Sequence, residues 1–525
     1  MIKVSNPFSS IPPLFSDLAK SLAGEMDCSL EKIQKYSTDG SPYTIKPQAI
    51  VYPKNSTDIK HILSFAREYN MPVTVRGNGT SRTGGSLSEG IIIDTTRYFT
   101  HIRQINMQEH TITVDAGVSV KELREKLHGW RMDIPVLTEQ DNDGTVGALI
   151  SKKSVNPTSF HNGTIREWVE ALTVTVDSGE EHRIADGITP SGRLLGIYQS
   201  IFPILTQHGP ILRAVKPETS DDATGYCLWN TSIGPRQLLD QLVGSEGTLG
   251  IITSVTLRIV PHKPHTRTVC IPISDKKQIS LYVDIAKHHT ASHIFLYDST
   301  FMELTDRYKL NSIPSFPDAK YTLCVSFFGN TKEELSSTMN SYVRALSAPE
   351  NNFIYYDDRS FIGKVTDPEF LFSLLESYTQ GSHIPVTVCD GIIVPIHKYE
   401  KMLEELEDYL YSTGKLYVIT GNSGSGHLSA ITLFDPRSRT HEHELNEYTQ
   451  TIFTLVKKNK GGISSKNGDG LSRTPYIPFI YNEATMVVFE EIKNAWDPSL
   501  ILNPGKKMGV TPSYLNNHLT MVVGR

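Results

Sequence analysis

Four glycine-rich bends in the first half of the chain constrain its fold more than any other feature. They read RGNGTSRTGG (76–85), NDGTVGALI (142–150), FHNGTIREWVEAL (160–172) and VGSEGTLGIITSVTLRI (243–259). Glycine reaches positive φ and lets the backbone approach a ligand closely, so successive N–H groups can surround a phosphate. In the first bend Arg76 and the hydroxyls of Thr80, Ser81 and Thr83 add donors suited to phosphate oxygens. Neither common phosphate motif fits. A nucleotide P-loop needs a lysine after its glycines, and a dinucleotide turn needs GxGxxG opening a helix. Here Gly77, Gly79 and Gly84 lead instead into SLSEGIIID, a loop and a strand. Each bend alone reads as a turn. As a set, with strands around them, they can enclose an extended diphosphate and a planar ring.

The runs between the bends support that setting. Ser56 or Thr57 can cap a helix whose apolar stripe is Ile59, Ile62, Leu63 and Ala66. MPVTVR (71–76), IIID (91–94) and TITVDAG (111–117) read as strands, SVKELREKLHG (119–129) as a helix, and ALTVTVDSGEEHRI (171–184) as a hairpin turning at Asp177, Ser178 and Gly179. GIITSVTLRIV (250–260) is a further strand, and Pro261 and Pro264 mark a linker. Beyond it VCIPI, HIFLYD, YTLCVSFFG and KLYVITG alternate with helices at TKEELSSTMNSYVRAL and 398–412. That alternation predicts an α+β unit, one antiparallel sheet with helices on one face. Outside YTLCVSFFG and TKEELSSTMNSYVRAL, residues 299–387 show no clear pattern. A last helix ends at Asp497-Pro498. The expected division is a lead-in (1–44), a first domain (45–263), a second (264–470) and a C-terminal segment (471–525).

Lys+Arg 51 against Asp+Glu 57 gives a net charge of −6, so no nucleic-acid partner is expected. The five cysteines, Cys28, Cys227, Cys270, Cys324 and Cys389, form no CxxC-type cluster, which suits free thiols in a reducing compartment. No apolar run approaches the ~18 residues of a membrane span, and the N-terminus lacks the apolar core of a signal peptide. A soluble, cytoplasmic protein without a transmembrane segment is expected, with peripheral membrane attachment left open.

The ordered series RGNGTS, DGTVG, NGTIREWV, GSEGTLGIIT and DPSLILNPGKK resembles the FAD-dependent oxidoreductases of the vanillyl-alcohol oxidase / para-cresol methylhydroxylase (PCMH) type. Within them it is most similar to the D-lactate dehydrogenase and glycolate oxidase branch, over about residues 48 to 508. The resemblance implies a two-subdomain PCMH-type FAD-binding domain, an α+β cap with an antiparallel sheet, and a C-terminal return. It implies a pyrophosphate loop at Arg76, Gly77, Asn78, Gly79, Thr80, Ser81 and Gly84. Gly144, Thr145, Gly147, Gly163 and Thr164 would line the cofactor, and Glu246, Gly247, Gly250, Ile251 and Ile252 would pass the flavin. Asn503 and Lys506 would return to it. The loop has no histidine for covalent attachment, so non-covalent FAD is expected. Lys152 and Lys153, where relatives carry small residues, either pair with phosphate or mark a rearranged loop.

The catalytic half departs from that branch. Its GHxGDGNxH reads GNSGSGHLS here, placing Asn422 and Ser429 at the histidine positions, and its EHGxG reads KNGDG, with Lys466 and Asn467 for Glu and His. Those are the branch's metal ligands, so no metal is expected. A carboxamide does not titrate in the useful range, and a lysine repels a cation. The candidate replacements for a base are His427 and Asp469, with Tyr476 a further option. The expected activity is hydride transfer from a hydroxyl-bearing carbon of a small-molecule substrate to flavin. Electrons would pass on to a quinone, an electron-transfer protein or oxygen. The alternatives are the same fold acting on a non-hydroxy-acid alcohol, or a flavin-binding protein that has lost turnover.

Overall fold

The computed structural model describes residues 11–519 apart from 154, 220, 230–233, 309–313, 317, 347–352, 358, 367, 381 and 436. The N-terminal stretch from which no signal peptide was expected lies partly outside the described residues.

A first sheet runs in the order Glu25–Asp27, Ala49–Tyr52, Ile91–Asp94, Val73–Arg76. The last three strands are parallel, and Glu25–Asp27 adds an antiparallel edge. AIVY and IIID are apolar at almost every position because such strands are covered on both faces. The helix Ser56–Glu68 packs Ile59, Ile62, Leu63 and Ala66 against Val51, Val73, Ile91 and Ile93. Its cap is Asn55, one position before Ser56: the Asn55 side chain accepts the Asp58 N–H at 3.0 Å. The C-terminal segment comes back here. Val73 N–H donates to the Ile501 carbonyl and Asn503 N–H to the Val73 carbonyl, both at 2.8 Å.

The second sheet is antiparallel, in the order Ile102–Asn106, Thr111–Asp115, Ile251–Arg258, Val169–Thr175, Glu181–Ala185. Its hairpin turns where expected, with Gly179 at φ +83°. The helices Gly192–Ala214 and Glu483–Trp496 share its core through Ile197, Ile201, Phe489 and Trp496. Pro203 and Pro210 inside the first of these obscure it in the sequence, since proline ordinarily ends a helical pattern.

The third sheet begins with His265–Ile273 and has eight strands among the described residues, all paired antiparallel. Alternate residues face opposite cores: Val269 and Ile271 one way, Cys270 and Cys324 the other. The first core holds the helices Lys277–His288, Lys332–Ala345, Tyr399–Ser412 and His441–Lys458. The second is closed by Ser299–Arg307, Arg359–Thr366 and Pro368–Thr379. The expectation of helices on one face is therefore corrected. The parts of 299–387 without a clear pattern, 299–307 and 359–379, supply the second layer, and YTLCVSFFG lacks polar alternation because both its faces are buried. No helix among the described residues is long and apolar enough to cross a membrane.

Candidate active site

A cleft opens at the C-terminal end of Val73–Arg76, walled by the glycine-rich bends. Of the expected residues it brings together Gly77, Gly79, Thr80, Ser81, Thr145, Gly147, Glu246, Gly247, Gly250 and Ile252. The glycines matter sterically. A Cβ on Gly77 would stand 2.3 Å from Thr145 Oγ1, and one on Gly147 2.7 Å from the Ala116 Cβ. Gly247, at φ +72°, has no atom within 4 Å of where its Cβ would point. Ser151, Lys152 and Asn467 also line the cleft. The two lysines separate: Lys152 faces the cleft, while Lys153 ends the helix Val146–Lys152 in left-handed backbone and donates to the Asp222 carbonyl at 2.9 Å.

Other expected residues support the walls without lining them. Arg76 turns its guanidinium away, donating to the Tyr36 and Thr38 carbonyls at 3.2 and 2.9 Å and lying over the Tyr36 ring. The reason is tertiary: a buried guanidinium takes the carbonyls within its reach, and the folded lead-in supplies them. Asn78 donates to the Asp143 carbonyl, and Gly84 packs under Leu471. The Gly144 carbonyl receives the Val120 N–H. Gly163 terminates the helix Ser159–Asn162, and Thr164 forms a capping box with Glu167. Ile251 belongs to the first sheet's core. Asn503 ties the walls together: it accepts from Thr74 and donates to the carbonyls of Gly85 (3.1 Å) and Glu246 (2.6 Å). Lys506 faces a different cleft with Glu89 and Tyr514, donating to the Leu87 carbonyl at 2.6 Å, and burial lowers its pKa to about 8.

A second, small cavity lies in the third sheet. Its polar side carries Asp390, Asn422, His427, Ser429 and Lys466; its apolar side is Phe295, Phe301, Val365, Leu371 and Ile431. Asp390 accepts from Ser429 Oγ (2.6 Å) and Asn467 Nδ2 (3.2 Å), with Lys466 Nζ at 3.5 Å. Burial alone would raise its pKa, but Lys466, Ser429 and the neighbouring cations outweigh that and hold it at about 2. Arg473, fully buried, donates to the carbonyls of Val388, Gly468, Lys466 and Asp390. Asp390 and Arg473 escaped the sequence reading; the single signal was an acid beside glycine in VCDGII.

The two cavities meet at KNGDG. Lys466 lines the second and Asn467 the first. Asn467, Gly468 and Gly470 all have positive φ, so the segment wraps Glu246, whose carboxylate accepts the N–H groups of Asp469 (2.7 Å) and Gly470 (2.8 Å).

A model described as an FAD binding domain matches residues 47–185, and one described as the C-terminal domain of FAD linked oxidases matches residues 264–507. The chain belongs to the FAD-linked oxidases. It is 24% identical over 520 residues to D-2-hydroxyglutarate dehydrogenase of Pantoea ananatis, covering 93% of this chain and 50% of that one. It is also 24% identical to glycolate oxidase subunit GlcD of Bacillus subtilis, covering 90% and 91%. The chain thus spans about half the length of the D-2-hydroxyglutarate dehydrogenases it matches. A solved 4-ethylphenol oxidase from Gulosibacter chungangensis shares the fold with TM-score 0.67 and 16% identity, covering 96% of this chain and 97% of that one.

As an FAD-linked oxidase the chain has a cleft that suits its cofactor. Gly247 faces open space, Gly77 and Gly79 let the backbone pass close to Thr145 and Arg76 where a Cβ would clash, and Thr80 and Ser81 stand beside them on the cleft wall. Those glycines and hydroxyl residues, with Lys152 and Gly147, line the cleft and could hold FAD. The candidate bases fare differently. Asp469 is fully buried and pairs with Lys507 at 2.7 Å, while accepting from Gly225 N–H and Ser464. It clamps the turn and touches neither cavity. His427 lines the second cavity, but its Nδ1 accepts the Asn422 N–H at 3.2 Å, so Nε2 carries the proton. Burial first, then Lys466, lower its pKa to about 3. The neutral ring is a hydrogen-bond donor, and its Nε2 has no partner among the described residues. Tyr476, its pKa raised by burial to about 12, reaches Asn446 and lines neither cavity.

Proposed function

We propose that the protein is an FAD-dependent dehydrogenase or oxidase that removes hydride from a hydroxyl-bearing carbon of an anionic donor, of the 2-hydroxy-acid kind that includes D-lactate. The observation that carries this is the adjacency of Lys466 and Asn467: one peptide bond joins the wall of the glycine-rich cleft to the wall of the polar cavity. A donor held by Lys466 would therefore lie next to the cofactor. FAD, when bound, accepts the hydride. Lys466 takes the donor's anionic group in the role of a fixed cation, and His427 Nε2–H donates to a donor oxygen. Asp390, ionised above about pH 2, is the carboxylate within the cavity that can receive the hydroxyl proton. The printed names of the relatives above, a D-2-hydroxyglutarate dehydrogenase and a glycolate oxidase subunit, support the donor class.

The cofactor is non-covalent in this reading, since the residues lining the cleft include no histidine, cysteine or tyrosine. The electron acceptor is a quinone, an electron-transfer protein or oxygen. A cytoplasmic location rests on the five free cysteines. The apolar wall of Phe295, Phe301, Val365, Leu371 and Ile431 favours a second reading, a donor with a larger apolar group, including an alcohol that is not a hydroxy acid.

Anaerobic addition of a graded series of D-2-hydroxy acids and matched neutral alcohols, followed by flavin absorbance, separates these. Bleaching by the acids supports the first reading, bleaching by neutral alcohols alone the second. A yellow protein that no donor reduces points to lost turnover.

A further inference from the structure

Far apart in sequence, His128, Asp133 and His262 converge beside the linker that leads into the third sheet. His128 closes the helix Val120–Gly129, Asp133 sits in the short strand Met132–Asp133, and that strand pairs with Val260–Pro261 immediately before His262. Backbone bonds hold the three together: Arg131 N–H donates to the His128 carbonyl and His262 N–H to the Arg131 carbonyl, both at 2.9 Å. Asp133 Oδ1 lies 3.5 Å from His128 Nε2 and Oδ2 lies 3.3 Å from His262 Nδ1. One ligand atom from each residue falls within 4.8 Å of the others.

That spacing suits a small tetrahedral cation. Nitrogen and oxygen ligands about 2.0–2.2 Å from zinc stand about 3.3 Å from one another. His128 Nε2 is buried and makes no hydrogen bond among the described residues, and Ile134 N–H fixes the carboxylate through Oδ1 at 2.8 Å. The side chains of Asp133 and His262 are 15% and 16% exposed and that of His128 31%, shielded yet reachable. The Arg359 guanidinium, whose charge acts on Asp133, is itself committed to the Lys263 carbonyl and to Thr266.

We propose that His128, Asp133 and His262 form a zinc-class divalent metal site, with water as a fourth ligand, that clamps the linker to the helix Val120–Gly129. Two imidazoles and one carboxylate are the donor set such an ion takes. The site is separate from the redox cavities and needs no change in the reading of either.

The test uses the full chain with its flavin. After chelator treatment and dialysis, zinc is added, excess is removed by gel filtration, and bound metal is measured. The expected result is one retained zinc per chain and a raised unfolding temperature. His262→Gln and Asp133→Asn should each weaken zinc binding at least tenfold while leaving flavin content unchanged. Cobalt added to the unsubstituted protein should give the visible bands of a tetrahedral complex, a readout independent of how the variants fold. No retained zinc, octahedral cobalt, or undiminished zinc in the His128→Gln/His262→Gln double variant would each overturn the proposal and leave an ion-paired histidine cluster.

Discussion

At the scale of single residues, the environment has reversed the role that residue type suggests for His427. An exposed imidazole takes up a proton near pH 6.5. Here burial and the Lys466 ammonium keep it neutral down to about pH 3, with Nδ1 already accepting from backbone. The kcat/KM profile of the proposed reaction should therefore show no ionisation near neutrality that belongs to His427. His427→Gln should lower kcat/KM without changing the profile's shape. An acid limb near pH 6–7 that disappears in this variant would restore His427 as the base. Lys466→Met removes the cavity's facing cation, and KM for carboxylate donors is expected to rise about tenfold, some 1.4 kcal/mol, with neutral alcohols little affected. Side-chain direction was the part the sequence concealed. Arg76 has the chemistry of a phosphate ligand, but its guanidinium follows the Tyr36 and Thr38 carbonyls, which only tertiary structure brings near.

At the scale of elements, the bends were legible because their constraint is local. A backbone that must pass close to a neighbour needs glycine wherever that happens, as at Gly77 against Thr145. Gly77→Ala should push aside the hydroxyl that caps the helix Val146–Lys152, lowering the flavin-to-protein absorbance ratio while the far-ultraviolet circular dichroism is kept. KNGDG was read as damaged catalytic machinery, yet its observed geometry is a turn around Glu246. Asparagine and glycine tolerate its left-handed positions, and Asp469 locks it through Lys507. Removing one partner of a buried ion pair costs about 3–5 kcal/mol. Lys507 keeps Glu246 at 3.1 Å, so Asp469→Asn should fall toward about 3 kcal/mol, read as a lower denaturation midpoint. Loss of turnover at unchanged stability would instead make Asp469 chemical. The second helical layer of the third sheet stayed hidden for a different reason: strands covered on both faces lose the alternation that reveals a face.

Across the whole molecule, the third sheet carries a built-in sensitivity to acid. His293 lies in the strand His293–Asp298, 3% exposed, with neither ring nitrogen partnered among the described residues. Burial leads in lowering its pKa to about 3, against the opposing pull of Glu139 and with Arg359 adding to it. In the unfolded chain the same ring titrates near 6.5. The folded-state pKa is thus depressed, so the unfolded chain binds one more proton at this site between about pH 6.5 and 3. Stability from His293 is present above pH 6.5 and is lost as pH falls through that window, at about 1.4 kcal/mol per unit. Asp298, at the other end of the strand, acts in the opposite sense. Burial raises its pKa to about 7, so it favours the folded state below about pH 4 and loses that contribution as pH rises toward 7. Replacing His293 isolates one side of this balance. Phenylalanine keeps an aromatic ring beside Phe328, whose ring centroid is 5.3 Å away, and removes the titration. His293→Phe should flatten the dependence of stability on pH between 6 and 4 by about 1.4 kcal/mol per unit, measured from denaturant midpoints at each pH. An unchanged slope would mean that the native imidazole already carries its proton, held by a partner that neither ring nitrogen has among the described residues.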